Sequence, residues 1–211
     1  MKQIITIPLL NEQVEWQNGD ITCIIGPNGS GKTQLLNGMI QWCDTRGYDY
    51  AIYNPFFAEE ELYEILATAE DEIIILAATT VGGLVRDFND MVQKWWKSEH
   101  GRDSTNNEHY LDVPLLKKTL RECGGGFTKM FVMAAKGVAN QFNNYYFLDM
   151  PEQSIHIVVG RELVEWLVRS FPQMKIVVAT HGPEIVASMM NDDGIMINLP
   201  EDYLSNRQKK G

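Results

Sequence analysis

The feature that most constrains the fold of this chain is the octapeptide GPNGSGKT, which occupies positions 26–33. It follows the apolar run ITCII at 21–25 and precedes KTQLLNGMIQWC, whose apolar spacing predicts a helix. A strand, a loop with the pattern GxxxxGK followed by Ser or Thr, and a helix form a phosphate-binding loop in many nucleotide-binding proteins. We therefore predict that the chain binds ATP through Gly26, Pro27, Asn28, Gly29, Ser30, Gly31, Lys32, Thr33 and Gln34.

Each fixed position of this loop has a separate physical purpose. Glycines let backbone N–H groups turn inward around a phosphate, and the N-terminus of the next helix adds partial positive charge. The ammonium of Lys32 can reach the β and γ oxygens, and the hydroxyl of Thr33 is a ligand for Mg²⁺. ATP and Mg²⁺ are therefore the expected cofactors.

Strand and helix patterns alternate along most of the chain. Beyond the loop, the predicted strands are AIY (51–53), EIIILA (72–77), YYFLD (145–149), KIVVAT (175–180) and IMINL (195–199). This alternation predicts an α/β sandwich with a mainly parallel sheet covered on both faces. We expect a single domain over 1–211 with a helical subdomain at 57–122, which includes a helix at 81–96 and a polar loop at 98–109.

Composition and charge narrow the classes of function. No apolar run in the 211 residues approaches the roughly 20 that a helix needs to span a bilayer. The N-terminal segment lacks the pattern of a signal peptide, so we expect a cytoplasmic protein with no membrane partner. The three cysteines show no paired metal-ligand spacing, which predicts reduced thiols. The net charge of −10 argues against non-specific wrapping of nucleic acid.

Two polar residues follow buried strand patterns and are candidates for a role at the nucleotide. Asp149 ends YYFLD, where its carboxylate would face the loop and hold Mg²⁺; a turn or helix-capping role is the alternative. His181 follows KIVVAT, so its imidazole would contact the γ-phosphate or the attacking water; a structural role is the alternative.

Three consecutive glycines, Gly124, Gly125 and Gly126, separate two helical patterns. A helix C-cap needs one glycine, whereas three suit a backbone that closes on an anion before the next helix. We predict a phosphate contact here, with a simple helix end as the alternative.

In this order, the segments resemble the ABC ATPases. GPNGSGKT, YYFLDMPEQSIHI (145–157) and IVVATHGPEIV (176–186) resemble the family's Walker A loop, its Walker B strand with D-loop, and its switch-histidine strand. CGGGFTKMFVMAA (123–135) stands where the signature loop and its helix belong. The branch that fits best is the non-transporter group of overcoming-lysogenisation, RecF and SMC-like proteins. The resemblance implies two heads, in a homodimer or with another ATPase head, that sandwich two ATP molecules.

Several positions depart from the family pattern. Met150 stands where the family has a glutamate that polarises the attacking water, and a thioether cannot accept a proton. Glu152 is a candidate substitute, alongside His181 in the switch role. Gly124 replaces the signature serine, and Asn54 is the candidate stand-in for the glutamine that contacts the metal. We therefore expect ATP hydrolysis that is slow or that depends on a partner, while ATP binding survives.

Three functions are consistent with these features. The first is an ATPase head that acts on DNA or on DNA-processing proteins, in repair, recombination or phage–host conflict, which rests on the resemblance alone. The second is a degenerate, ATP-bound regulatory module whose 57–122 segment binds a protein partner, as Met150 and Gly124 favour. The third is a P-loop kinase of a nucleotide or small metabolite, in which THGPE and the glycine run have no place.

Overall fold

The structure, a computed structural model, describes residues 2–7, 12–17, 21–85, 113–153, 155–189 and 194–199. The elements up to the first helical insertion are β1 (Lys2–Ile7), β2 (Glu12–Gln17), β3 (Ile21–Ile25), α1 (Lys32–Arg46) and β4 (Tyr50–Tyr53). They are followed by α2 (Ala58–Thr68), α3 (Asp71–Leu84), α4 (Val113–Glu122) and α5 (Gly125–Ala139). The chain then forms β5 (Tyr145–Asp149), α6 (Ile157–Ser170), β6 (Lys175–Thr180), α7 (Pro183–Met189) and β7 (Ile195–Asn198).

Five strands form a parallel sheet in the order β4-β5-β6-β3-β7. Its central strands β5 and β6 are buried along nearly their whole length, as expected for a parallel sheet covered on both faces. β1 and β2 pair separately as a two-stranded antiparallel sheet. The predicted α/β fold with a mainly parallel sheet is therefore confirmed, and β2 is a strand that the sequence patterns did not predict.

Helix α1 packs its apolar face on this sheet. Its buried apolar side chains recur every three or four residues and join side chains of β3, β5 and β6 in one core. The cluster comprises Ile24, Leu35, Leu36, Met39, Ile40, Trp42, Cys43, Tyr145, Phe147, Val177, Ala179 and Leu199. Burial of each large apolar side chain stabilises the fold by about 1.5–3 kcal/mol. This packing fixes the start of α1, and with it the loop 26–33, against the ends of the strands.

The chain divides into two compact units, one of residues 1–55 and 140–211, the other of residues 56–139. In the second unit α5 packs against α2 and α3, and nine of its residues are buried. Lys136 on α5 forms an ion pair with Glu61 on α2, and Lys117 pairs with Asp71 at 3.1 Å. The second unit extends beyond the expected limit of 122 because α5 completes its core.

The prediction of a buried strand at 72–77 is wrong, since these residues lie in α3. The buried side chains of α3 are those of Ile74, Ala77, Ala78 and Val81, which share one helix face, while Leu76 is 47% exposed. A short apolar run does not distinguish a strand from a helix, and here the packing of one face of α3 decides between them. The predicted helix at 81–96 lies outside the described residues beyond position 85, as does the loop at 98–109.

The helix predicted from KTQLLNGMIQWC is α1, which begins at Lys32 as expected. None of the helices in the described ranges is long and apolar enough to cross a membrane.

Candidate nucleotide-binding site

The candidate residues of the first unit follow the carboxyl ends of parallel strands. β3 leads into the loop 26–31, β4 into Asn54, and β6 into His181, while Asp149 is the last residue of β5. Because parallel strands end at one edge of the sheet, these residues lie along the same edge, where open α/β sheets bind ligands. Tyr53 pairs with Leu148, so half-buried Asn54 is the neighbour of Asp149 across the two strands.

The backbone of the loop depends on glycine at three positions. Gly29 and Gly31 have φ angles of 78° and 98°, a left-handed conformation that glycine adopts without steric cost. At Gly26 a side chain has no room, since a Cβ atom would lie 2.7 Å from the carbonyl oxygen of Leu199. Leu199 is itself held there by a 2.8 Å hydrogen bond from its N–H to the carbonyl of Ile25. The last described residues of the chain therefore close against the start of the loop.

Lys32 lies buried within this loop. Its ammonium donates hydrogen bonds to the carbonyl oxygens of Gly26 at 2.7 Å and Pro27 at 2.8 Å. Burial lowers the pKa of Lys32, while the negative charges of Glu152 and Asp149 act in the opposite direction. Because water cannot fully hydrate this buried ammonium, it attracts phosphate oxygens strongly.

Thr33 and Asp149 are brought together across 116 positions of sequence. The Thr33 hydroxyl donates to the two carboxylate oxygens of Asp149 at 3.1 and 3.2 Å. Burial raises the pKa of Asp149, and the Thr33 hydrogen bond and Lys32 charge oppose this rise. No group of three or more His, Cys, Asp or Glu side chains suited to a metal occurs within the described ranges. A hydroxyl and one carboxylate nevertheless match the few protein ligands that Mg²⁺ takes when phosphates supply the others.

Glu152 and His181 are in contact, with the Glu152 side chain buried and the His181 side chain 46% exposed. The Oε1 atom of Glu152 accepts from the His181 backbone N–H at 3.0 Å and contacts His181 Nδ1 at 3.1 Å. The hydroxyl of Thr180 donates to the same oxygen at 2.7 Å and accepts from the N–H of Gly182 at 2.9 Å. The carboxylate therefore fixes the turn that carries the predicted switch histidine.

Met150 follows the strand that carries Asp149 in a backbone conformation that is unusual for its type. Its φ angle is 49°, and its N–H donates a 2.8 Å hydrogen bond to the carbonyl of Ala179. Left-handed conformations cost a non-glycine residue roughly 1–2 kcal/mol, and such residues cluster at functional sites. The hydrogen bond to β6 holds this turn in place.

The glycine run lies in the second unit. Gly124 precedes α5 and its carbonyl accepts from the N–H groups of Phe127 at 3.0 Å and Thr128 at 3.2 Å. The helix begins at Gly125, so Gly125 and Gly126 form its first turn, whereas the sequence pattern placed both glycines before the helix. Open space surrounds Gly124 and Gly125, where a Cβ atom would meet nothing within 4 Å. The phosphate contact of this run stays a prediction.

Two contributors to the site escaped the sequence analysis. Thr180 orients Glu152, and its position directly before His181 at a strand end was a usable signal. Leu199 shapes the loop through its backbone, for which the sequence holds no signal because any residue type supplies a carbonyl.

Comparisons with known proteins agree on the architecture. No family model matches the chain. It is 26% identical over 171 residues to the "Putative ABC transporter ATP-binding protein YjkB" of Bacillus subtilis (strain 168), a match that covers 80% of this chain and 67% of that protein. The solved structure of a nucleotide-free ATP-binding cassette from an ABC transporter superposes with a TM-score of 0.50 at 15% identity, covering 94% of this chain and 88% of that one. With its parallel sheet and strand-end phosphate loop, the chain has the fold of the ABC-type ATP-binding cassette ATPases.

Proposed function

We propose that this chain binds ATP and Mg²⁺ at the loop 26–34 and that two such heads close around two ATP molecules, with slow hydrolysis. The observation that carries the proposal is the convergence of Lys32 with the Thr33–Asp149 pair at one edge of the sheet. A cation for phosphate oxygens and a hydroxyl–carboxylate pair for the metal are the two requirements of a nucleoside triphosphate site.

The chemistry of the loop fits this ligand. The buried hydroxyl of Ser30 has no hydrogen-bond partner within the described part of the chain, although buried polar groups are normally satisfied. A phosphate oxygen would satisfy it and would also draw the ammonium of Lys32 from the loop carbonyls. Thr33 and Asp149 would hold Mg²⁺, with Asn54 as a further candidate ligand. The metal would neutralise charge on the β- and γ-phosphates.

The dimer rests on the glycine run and its resemblance to a signature loop. Gly124, Gly125 and Gly126 stand at the N-terminus of α5, where the first N–H groups have no partner within the helix. The absence of side chains would let a γ-phosphate held by another subunit approach these N–H groups. The partner head is a second copy or a different ATPase head.

Slow hydrolysis follows from Met150, which cannot act as a general base. General-base assistance is worth about 10²–10⁴ in rate, so its loss lengthens the life of an ATP-bound dimer. The resemblance of the motifs to the non-transporter branch supports a cytoplasmic protein that acts on DNA or on DNA-processing proteins. The relative in Bacillus subtilis, in contrast, is named for a transporter. The net charge of −10 favours contact with DNA through a protein partner.

A second candidate function is a regulatory module that binds ATP without turnover and uses its helical segment to bind a protein. Met150 favours it, because a site without its usual base can still hold nucleotide.

The first experiment measures mass by light scattering and phosphate release in the same samples, with and without ATP·Mg²⁺. We expect ATP to double the 24.0 kDa mass while phosphate release stays slow. Lys32→Ala should weaken ATP binding by about 100-fold or more and abolish the dimer, because the cation at the phosphates is lost. The matched control is Lys175→Ala, since Lys175 lies over the ring of Tyr145 at the opposite edge of the sheet.

Each other outcome identifies a different function. A dimer with no phosphate release above the level of Lys32→Ala would support the regulatory module. A protein that stays monomeric and transfers phosphate to a small acceptor would instead support the kinase hypothesis. ATP binding that is unchanged in Lys32→Ala would contradict the proposed site itself.

A further inference from the structure

Glu152 brings a carboxylate next to the phosphate loop. Its Oε1 atom accepts hydrogen bonds from the hydroxyl of Thr180 at 2.7 Å and from the backbone N–H of His181 at 3.0 Å. Thr180 is paired across the sheet with Ile25, which immediately precedes Gly26 of the loop. The carboxylate is therefore anchored on the strand beside the one that leads into the loop.

The second oxygen atom of this carboxylate is buried without a hydrogen bond. Oε2 of Glu152 has no donor within the described part of the chain, and the side chain is 4% exposed. Buried polar atoms normally have a partner, and a buried charge without one is costly. A neutral glutamine would accept the same two hydrogen bonds that Oε1 accepts. The charge of Glu152 therefore requires an explanation beyond the shape of the turn.

Two carboxylates and one ammonium group lie together at the site. Opposing the effect of burial, the negative charges of Glu152 and Asp149 raise the pKa of Lys32. The imidazole of His181, whose Nδ1 lies 3.1 Å from Oε1, adds a positive charge only when it is protonated. With this imidazole neutral and the carboxylates ionised, the protein side chains at the site carry more negative than positive charge.

This excess of negative charge opposes the binding of a polyanion. The N–H groups of the loop, the N-terminus of α1 and Lys32 attract phosphate oxygens, but ionised carboxylates repel them. The repulsion is smaller for a nucleotide that carries Mg²⁺, because the metal cancels part of the charge of the phosphates. Asp149 is a proposed ligand of that metal, whereas Glu152 is not. The charge of Glu152 therefore stays uncompensated when a metal-free nucleotide binds.

We infer that Glu152 makes nucleotide binding depend on Mg²⁺, because its buried charge repels the metal-free nucleotide and so selects the magnesium complex. The inference rests on the proposed ATP-binding function and adds a specificity-determining residue to it. It gives Glu152 a role other than that of a base for the attacking water. A buried carboxylate suits this role, since solvent ions screen its charge only weakly.

The test compares the affinity for ADP in Mg²⁺ and in EDTA. ADP lacks the γ-phosphate on which the proposed dimer depends, so its binding reports on single subunits. We expect Mg²⁺ to increase the affinity of the parent protein for a fluorescent ADP by about 30-fold. In Glu152→Gln this increase should shrink to about threefold, because the affinity in EDTA rises by about tenfold. Fluorescence titration of the full chain measures both affinities.

Three further variants separate the charge from other effects of the substitution. Thr180→Val removes the hydrogen bond to Oε1 but keeps the charge, so Mg²⁺ should still increase the affinity by about 30-fold. Asp149→Asn should instead lower the affinity in Mg²⁺, because a proposed metal ligand is lost. Glu165→Gln removes an equal charge on α6, where the carboxylate pairs with Arg161 and Arg169, and should leave both affinities unchanged. Urea unfolding checks that each variant is folded.

Several outcomes would overturn the inference. A parent protein that binds ADP equally well in Mg²⁺ and in EDTA would do so without any variant, and so would a Glu152→Gln variant with the parental response to Mg²⁺. Lower affinity of Glu152→Gln in both conditions would show that Glu152 instead supports the charge of Lys32. Lower affinity in Mg²⁺ alone would make Glu152 a metal ligand. In each of these cases the nucleotide site stands, whereas a parent that binds ADP in neither condition would contradict the proposed site as well.

Discussion

Burial and neighbouring groups act in opposite directions on the pKa of Asp149. Burial raises the pKa of its carboxyl group, the Thr33 hydroxyl and Lys32 lower it, and Glu152 raises it further. The net effect is a rise, so the folded state binds a proton at this carboxyl group more tightly than the unfolded chain does. The associated stability is fully present below the unfolded pKa and is lost as the pH rises through the folded one. The ionised form, which the fold disfavours, is the form that a metal would require.

We predict that Asp149→Asn raises the unfolding temperature at neutral pH, because the amide removes a buried charge and still accepts from Thr33. The difference from the parent should vanish as acid protonates Asp149. Thermal unfolding without nucleotide, from acidic to neutral pH, measures it. The same variant should lose the stabilisation that ATP·Mg²⁺ gives the parent. A variant less stable than the parent at neutral pH would show that the charge is instead well solvated.

Met150 limits the rate in our proposal, so its replacement should release that limit. We predict that Met150→Glu increases phosphate release by about 10²-fold, because a carboxylate beside Asp149 provides a base for the water. Met150→Gln, which has the same length and no base, is the matched control. Faster turnover should also shorten the life of the ATP-bound dimer in light scattering. Equal rates for the two variants would indicate that the side chain at 150 does not face the water.

Among single residues, those of the local loop were the most predictable. The loop 26–33 was readable because its spacing alone fixes the backbone, whereas the link from Glu152 to His181 spans 29 positions. No local pattern encodes which oxygen meets which donor, since that depends on the pairing of β5 with β6. The sequence therefore indicated the candidates, and their mutual orientation required the packed sheet.

At the scale of elements, the sequence predicted the strands of the parallel sheet better than it predicted the elements of the second unit. β4, β5, β6 and β7 match their predicted runs because turn residues bound them closely. In α3 the run Ile73, Ile74, Ile75 satisfies both a strand and a helix pattern, and tertiary packing decides between them. β2 was missed because its alternating residues include charged ones.

Substitution by alanine should change the free energy of unfolding in opposite directions at two glycines. Gly26→Ala should destabilise the protein by about 1–3 kcal/mol, because the new methyl group would meet the backbone of Leu199 and the hydroxyl of Ser30. Gly83→Ala, on the exposed face of α3 with open space around it, should stabilise by roughly 0.5–1 kcal/mol. Urea unfolding measures both. A tolerated Gly26→Ala would mean that the loop and Leu199 separate readily.

At the scale of the whole molecule, the second unit, 56–139, is inserted between β4 and β5 of the first unit. The two sets of proposed phosphate contacts are thus divided between the units, with Lys32 in one and Gly125 in the other. In the proposed dimer each nucleotide would use the loop of one subunit and the glycine run of its partner. A monomer would then be incomplete for catalysis even when it is fully folded.

Mixing subunits tests this division. Lys32→Ala lacks the phosphate cation, and Gly125→Asp places a negative charge at the glycine run, where open space makes the side chain structurally tolerable. We predict that each variant alone is inactive and that a mixture recovers part of the parental turnover, because a dimer with one subunit of each kind carries one intact site. Phosphate release across the mixing ratio measures this. Activity that never exceeds that of the separate variants would contradict shared sites.

The closure of Leu199 on Gly26 bears on how the protein is made. β3 is hydrogen-bonded to β6 on one side and to β7 on the other, and both come from residues 175–198. On the ribosome the phosphate loop therefore emerges before the two strands that pair with β3 have been synthesised. Its shape is completed only when β6, β7 and Leu199 have emerged. The nascent chain thus becomes able to hold nucleotide only after these residues are made, when the second unit has had time to fold.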